Sequence, residues 1–128
     1  MPRLMNLTQG SDDWLIWREK GIGGSDAPIV LEESPWQSAY GLWLLKTNRV
    51  KPKPPSAAME HGRTSEPLVR EWYIKQTGKE GSPVAAIYDD ADYIRVSMDH
   101  WNRNTRHAAE FKAPTSLEGH RKCKEAVP

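Results

Sequence analysis

The run Glu110-Phe111-Lys112 sets a carboxylate and an ammonium two residues apart. On a strand, side chains at that spacing share one face, so Glu110 and Lys112 project together while Phe111 packs behind. Alone, such a pair is an ordinary exposed ion pair worth roughly 0–1 kcal/mol. Asp99 changes the weighing, because it falls at the expected end of the preceding strand. If the two strands pair as a hairpin in suitable register, Asp99 and Glu110 become diagonal neighbours on one face, roughly 7–8 Å apart. The spacing does not fix that register. Two carboxylates brought together repel unless a cation lies between them. A hard divalent ion, Mg2+ or Mn2+, takes such oxygen ligands together with water, and the carbonyl of Phe111 offers one more. Glu66, in Gly62-Arg63-Thr64-Ser65-Glu66-Pro67, is the third acid. It reads either as an i,i+4 ion pair with Arg70 or as a further carboxylate brought to the same ion. Combined, Glu66, Asp99, Glu110 and Lys112 would suit phosphodiester hydrolysis. The ion would polarise a phosphoryl oxygen and acidify water, and Lys112 would position that water or stabilise developing negative charge. One ion and two ions both fit the pattern.

The elements that must position these groups follow from local signals. Ser11-Asp12-Asp13 before Trp14 to Lys20 reads as a capped helix stopped by Gly21. Gly21 to Gly24 is a flexible turn. A short helix over Ala27 to Leu31 tolerates Pro28 because it falls in the first turn. Ser34-Pro35-Trp36 is a turn, Ala39 to Thr47 a third helix, and Lys51 to Ser56 an extended proline-rich loop. Ala57 to Thr77 is the longest helical stretch. Met59, Leu68, Trp72 and Ile74 are its expected apolar contacts, and Gly62 and Pro67 predict a kink or two segments. Gly78 is its expected stop. Val84 to Tyr88 and Tyr93 to Met98 read as strands, His100 to Arg106 as a polar turn, and Ala108 to Ala113 as a third strand ended by Pro114. Ser116 onward starts another helical pattern. Helices followed by a short, mostly antiparallel strand meander make an α+β domain spanning residues 1–128.

Composition sets bounds but names no partner. The chain has 128 residues and a formal net charge of +1, which suits one domain and gives no global nucleic-acid signal. The single cysteine, Cys123, excludes a disulfide within the chain and a cysteine-rich zinc site, and suits a reducing, cytoplasmic setting. No run reaches the length of a membrane span. Six Trp against one Phe is an unusual aromatic balance. A packing role is the default for most of them, Trp36 included, although Trp36 could also stack on a base or wedge into DNA.

Asp99 followed by Glu110-x-Lys112 resembles the signature of the PD-(D/E)xK nuclease superfamily. Further segments narrow the resemblance. In order they are Trp17-Arg18 with Gly23-Gly24-Ser25-Asp26, Ser34-Pro35-Trp36, Gly62-x-x-x-Glu66-Pro67, Ser97-Met98-Asp99 and Glu110-Phe111-Lys112-Ala113-Pro114. Over nearly the whole chain the sequence is similar to the lambda exonuclease and YqaJ-like viral recombinase family. That resemblance implies a restriction-endonuclease-like core and an Mg2+- or Mn2+-dependent exonuclease. Such an enzyme degrades one strand of linear duplex DNA from its 5′ end during phage-type recombination, inside a bacterial host. It implies Glu66, Asp99 and Glu110 as the acidic site, Lys112 as the catalytic lysine, and Arg18 and Ser25 as receivers of the 5′-phosphate. A guanidinium forks onto phosphate, and a hydroxyl at a helix start adds a donor. A single-strand annealing protein and a second copy of the chain are the protein partners it suggests. Two departures stand out. His100 follows the aspartate where the family usually has Gly, so the turn is expected to be built differently. The family also continues past the region of Lys124 with a helix carrying Gln-x-Gln and further strands, so the chain is expected to lack that part.

The remaining residues have plainer readings. His61, His100, His107 and His120 show no compact zinc spacing. They read as structural or surface groups; lining the site is the alternative for His61, close to Glu66, and for His100, beside Asp99. Arg103 and Arg106 flank a turn; Arg121, Lys122 and Lys124 form a DNA-facing stripe or a frayed tail. Two other functions stay open: a binding or assembly module in which the acids and the lysine are only an ion-pair cluster, and an endonuclease using the same groups.

Overall fold

The computed structural model describes residues 2–119 and 121. The elements run β1 (Arg3–Met5), α1 (Asp12–Glu19), a 3-10 turn (Gly24–Asp26), α2 (Ala27–Val30), α3 (Ala39–Lys46), α4 (Ala57–Thr77), β2 (Ser82–Tyr88), β3 (Ala91–Asn102) and β4 (His107–Ala109). The strands form one sheet in the order β1-β2-β3-β4. Mixed helix and antiparallel sheet is the α+β class that the sequence indicates. Among the described residues, no helix is long and apolar enough to cross a membrane.

The chain divides into two compact units. One comprises the residues up to Lys53 together with Pro83–Met98; the other comprises Pro54–Ser82 together with the chain from Asp99 on.

In the first unit, Ser11 caps α1 by accepting the Trp14 N–H at 3.3 Å, while Asp12 and Asp13 sit on the positive helix end. The i,i+3 spacing of Trp14 and Trp17 turns both rings to one side, where they pack with Ala85 and Ile87 of β2 and with Met5 and Leu7. Trp14 Nε1 donates to Ser97 Oγ at 3.1 Å, which satisfies its one polar atom. β1 was not legible in advance. It pairs antiparallel with β2 through Leu4 opposite Ala86, and three residues with exposed flanks carry too little pattern to be seen alone. Gly21 to Gly24 is more than a flexible turn, because Ile22 bridges to Ile94 of β3. Gly21 is required there: a Cβ would stand 2.6 Å from the Tyr93 carbonyl. Only two of the tryptophans belong to this core. Trp36 is 91% exposed, and Trp43 and Trp72 are also exposed, so the packing expectation fails for them.

In the second unit, α4 is one uninterrupted helix, contrary to the expected break. Pro67 removes one donor, the one that would have reached the Arg63 carbonyl, and the helix continues through it. Ser56 caps the start by accepting the Met59 N–H at 3.2 Å, and Gly78 ends it with a left-handed φ of 68°. The inward face differs from expectation in part. Met59, Leu68 and Trp72 are exposed, whereas Ile74 is partly buried as expected, together with Val69 and with Glu66, Arg70 and Tyr73 at i, i+4 and i+7.

The strand ends are corrected too. β3 runs on through Asn102, so His100 lies in a strand and not in a turn. The turn covers residues 103–106, and Arg106, at φ 55°, supplies its left-handed position. β4 is only His107–Ala109, so Glu110, Phe111 and Lys112 follow the strand. Helical residues begin at Leu117. His120, Lys122, Cys123 and Lys124 lie outside the described residues.

Candidate functional site

The β3–β4 pairing settles the register that the sequence left open. His100 stands opposite Ala109, Trp101 opposite Ala108 and Asn102 opposite His107. β4 ends at Ala109, so Asp99 and Glu110 are the residues next along from the last pair, His100 and Ala109, and they sense each other electrostatically. Burial, first, raises the Asp99 carboxyl above its ordinary range; the Phe111 N–H opposes this, and the Glu110 carboxylate adds to it by charge and as a hydrogen-bonding neighbour.

The turn into Glu110 is anchored from Asp99 itself. Its Oδ2 accepts the Phe111 N–H at 2.9 Å, replacing a ladder bond where β4 has ended. Phe111 packs behind, as expected, with ring centroids 5.5 Å from Tyr73 and 5.8 Å from His100. Lys112 Nζ meets Glu110 Oε1 at 2.6 Å, so the two-residue spacing does bring ammonium and carboxylate together. Both side chains are well exposed.

Glu66 joins from α4. Its ion pair with Arg70 is formed, so the plainer reading holds as well. The two readings coexist. Burial, then the charge of Asp99, raises the Glu66 carboxyl; Arg70 opposes this, and Glu110 adds a smaller push upward. Three carboxylates thus sense one another across this face. Arg70 does a second job that the sequence reading missed: its Nε donates to the Asp99 carbonyl at 2.8 Å. The only advance signal was its i,i+4 relation to Glu66, which suggests a surface pair.

This donor set fits a hard divalent cation by its chemistry. Oxygen acids are the hard ligands that a 2+ ion takes, and two of the three, Asp99 and Glu66, have a raised proton affinity that such a charge would relieve. Yet among the described residues no three acidic, imidazole or thiol groups stand close enough to enclose an ion. Arg70 engages Glu66, and Lys112 engages Glu110. Binding would require Glu110 to exchange Lys112 for the ion.

His100 is fully buried. It meets Tyr73 and Phe111 edge-on, at 5.4 and 5.8 Å between centroids. Tyr73 Oη and His107 Nε2 are 2.7 Å apart. His100 therefore backs the Asp99 strand from the core instead of lining the site. Gly81 faces it, and a Cβ there would collide with the imidazole. His61, on α4, is exposed, and its Nε2 lies 3.4 Å from Ser65 Oγ.

Arg18 and Ser25 belong to the first unit. The Arg18 guanidinium lies over the Trp14 ring, 4.6 Å from its centroid, and Ser25 is an exposed residue of the 3-10 turn. Its neighbour Asp26 entered the sequence reading only within the segment Gly23-Gly24-Ser25-Asp26. It is buried, accepts the Gly23 N–H at 2.9 Å and pairs with Lys46 Nζ at 2.8 Å. Arg103 and Arg106 are exposed, and Arg121 pairs with Glu118 at 2.8 Å.

Comparison with known proteins adds a family context. Residues 13–127 match the family model described as the YqaJ-like viral recombinase domain. The chain is also 37% identical over 97 residues to the uncharacterized protein YqaJ of Bacillus subtilis (strain 168). That alignment covers 73% of this chain and 30% of the relative, so the chain spans about a third of that protein's length.

Proposed function

Because the chain belongs to the YqaJ-like viral recombinase domain family, we propose that it is the nuclease part of a phage-type recombination protein. In this reading it carries a restriction-endonuclease-like core in a single exonuclease domain, works in a bacterial host's cytoplasm, and hydrolyses linear duplex DNA from a 5′ end. The observation that carries the reading is that Asp99 and Glu110 flank the last pair of the β3–β4 ladder, with Lys112 beside Glu110 and Glu66 sensing the charge of both acids.

Asp99, Glu110 and Glu66 are the groups that would hold Mg2+ or Mn2+, with the Phe111 carbonyl as a further oxygen. When bound, the ion supplies charge neutralisation at the phosphodiester and acidifies water. Lys112, released from Glu110, holds the attacking water and offsets negative charge as it develops on the phosphoryl oxygens. Arg70 holds the Glu66 carboxylate and the Asp99 main chain together, and Glu110 completes the set on leaving Lys112. Arg18 and Ser25 receive the 5′-phosphate through a guanidinium and a hydroxyl. A single-strand annealing protein and further copies of the chain are the protein partners in this reading.

The test is degradation of 5′-phosphorylated linear duplex by the purified protein. Mg2+-dependent loss of duplex, sparing closed circles, is expected, with Lys112→Ala slower by about a hundredfold or more. Cleavage unchanged in Lys112→Ala, or unaffected by chelator, refutes the assigned roles. Cutting of closed circles instead assigns the same groups to an endonuclease.

A second reading has its own observation. Glu66 and Glu110 already hold protein cations, which is what a binding or assembly module with a plain ion-pair cluster would show. That reading gives DNA or protein binding with no metal-dependent turnover.

A further inference from the structure

We propose that the surface from Trp36 to Lys53 is a docking site for single-stranded DNA, separate from the carboxylate cluster and independent of metal. Its core is an aromatic platform. Tyr40 and Trp43, one turn apart on α3, stack with centroids 5.8 Å apart and an interplanar angle of 20°. Both stay exposed, at 68% and 46%. Trp36, on the turn before α3, is 91% exposed and packs on nothing that would account for so large an apolar ring at the surface.

Cations frame these rings. The Arg49 guanidinium lies over Trp43, 4.6 Å from the ring centroid. Lys51 and Lys53 are exposed on the proline-rich loop that follows. Pro52 and Pro54 stiffen that loop, so the two lysines are held out at little entropic cost. No aspartate or glutamate occurs between Glu33 and Glu60. Lys46 is excluded from the surface because Asp26 holds it. The acids at the margins are Glu32 and Glu33 ahead of Trp36, and Glu19, which lies 3.5 Å from Asn48. An open recess beside Trp36 is lined by Ser34, Gln37 and Ser38, which offer hydrogen-bonding groups, and by Glu32.

Charge complementarity identifies the occupant. Exposed flat rings interleaved with cations, over an acid-free run, match a polyanion that presents flat apolar faces. Single-stranded nucleic acid does this: bases stack on the rings, and phosphates meet the cations. A duplex hides its base faces and gains only the charge term. An aliphatic protein groove would leave Arg49, Lys51 and Lys53 without acceptors. The choice of DNA over RNA rests on the nuclease reading; the binding of a single strand does not.

The experiment is fluorescence anisotropy of a labelled oligo(dT) with the full chain, in chelator, at low and raised salt. Saturable binding that weakens with salt is expected. Trp36→Ala and Tyr40→Ala should each weaken it about fivefold or more. The loop variant Lys51→Glu/Lys53→Glu touches no packed group; it should weaken binding and flatten the salt dependence. Absent binding at low salt, wild-type affinity in both aromatic variants, equal competition by duplex, or preference for oligo(U) each overturns the proposal. Asp99→Asn keeps oligo(dT) binding in this account. Failure of the nuclease assay with binding intact therefore removes the proposed function and leaves this site standing, and the converse result does the opposite.

Discussion

Arg70 ties the backbone of Asp99 to the side chain of Glu66. Its Nε donates to the Asp99 carbonyl at 2.8 Å, and its Nη2 donates to Glu66. One planar cation thus links α4 to β3. Arg70→Ala, and equally Arg70→Lys, should weaken Mn2+ binding about 10- to 100-fold, because an ammonium cannot donate in two fixed directions. A metal titration of both variants measures this; an Arg70→Lys protein with wild-type affinity would remove Arg70 from the site.

Asp99→Asn should raise the melting temperature in the absence of metal. Burial and the Glu110 charge raise the Asp99 carboxyl, so the folded protein binds a proton more readily there than the unfolded chain does. Stability from this group is complete below the unfolded carboxylate range and is lost as pH rises through the folded value. Asparagine removes that loss and still accepts the Phe111 N–H. Melting curves from acid to neutral pH, in chelator, should show a shallower decline in the variant than in the wild type.

Gly81→Ala should cost about 1–3 kcal/mol, because the added methyl meets an imidazole that has no room to move. His100→Ala costs stability by leaving a cavity, and the double variant should be more stable than the two losses summed predict. Denaturant unfolding of the three variants reads the coupling; strict additivity would show that the two positions do not compete for space.

His100 carries the opposite pH sign. Burial first, then the charges of His107 and Arg70, lowers its proton affinity below the ordinary value of 6.5. Its contribution is present above that value and is lost as pH falls through the folded one. The melting temperature should drop as pH falls below the histidine range, and His100→Phe should flatten that drop. An unchanged acid limb would contradict the assignment.

The Glu110–Lys112 ion pair was legible in the sequence, although both residues lie beyond β4 and not on a strand, and Ser11, Ser56 and Gly78 act at helix ends as their types dictate. Register was not legible, since it depends on where the turn falls. His100 was read into that turn because it is polar, yet it is fully buried. What admits it is Gly81, on a segment whose proximity no local pattern reveals. The inward face of α4 was legible in part: Ile74 is partly buried as expected, whereas Leu68 and Trp72 are exposed and Glu66, Val69, Arg70 and Tyr73 are partly buried with it.

Mn2+ calorimetry on the wild type, Asp99→Asn and Glu110→Gln tests the central claim most directly. Saturable heat in the wild type, lost in both variants while each keeps its fold, is the expected result. Wild-type heat retained in both variants, or no heat in any of the three, would contradict a divalent-ion site built on Asp99 and Glu110.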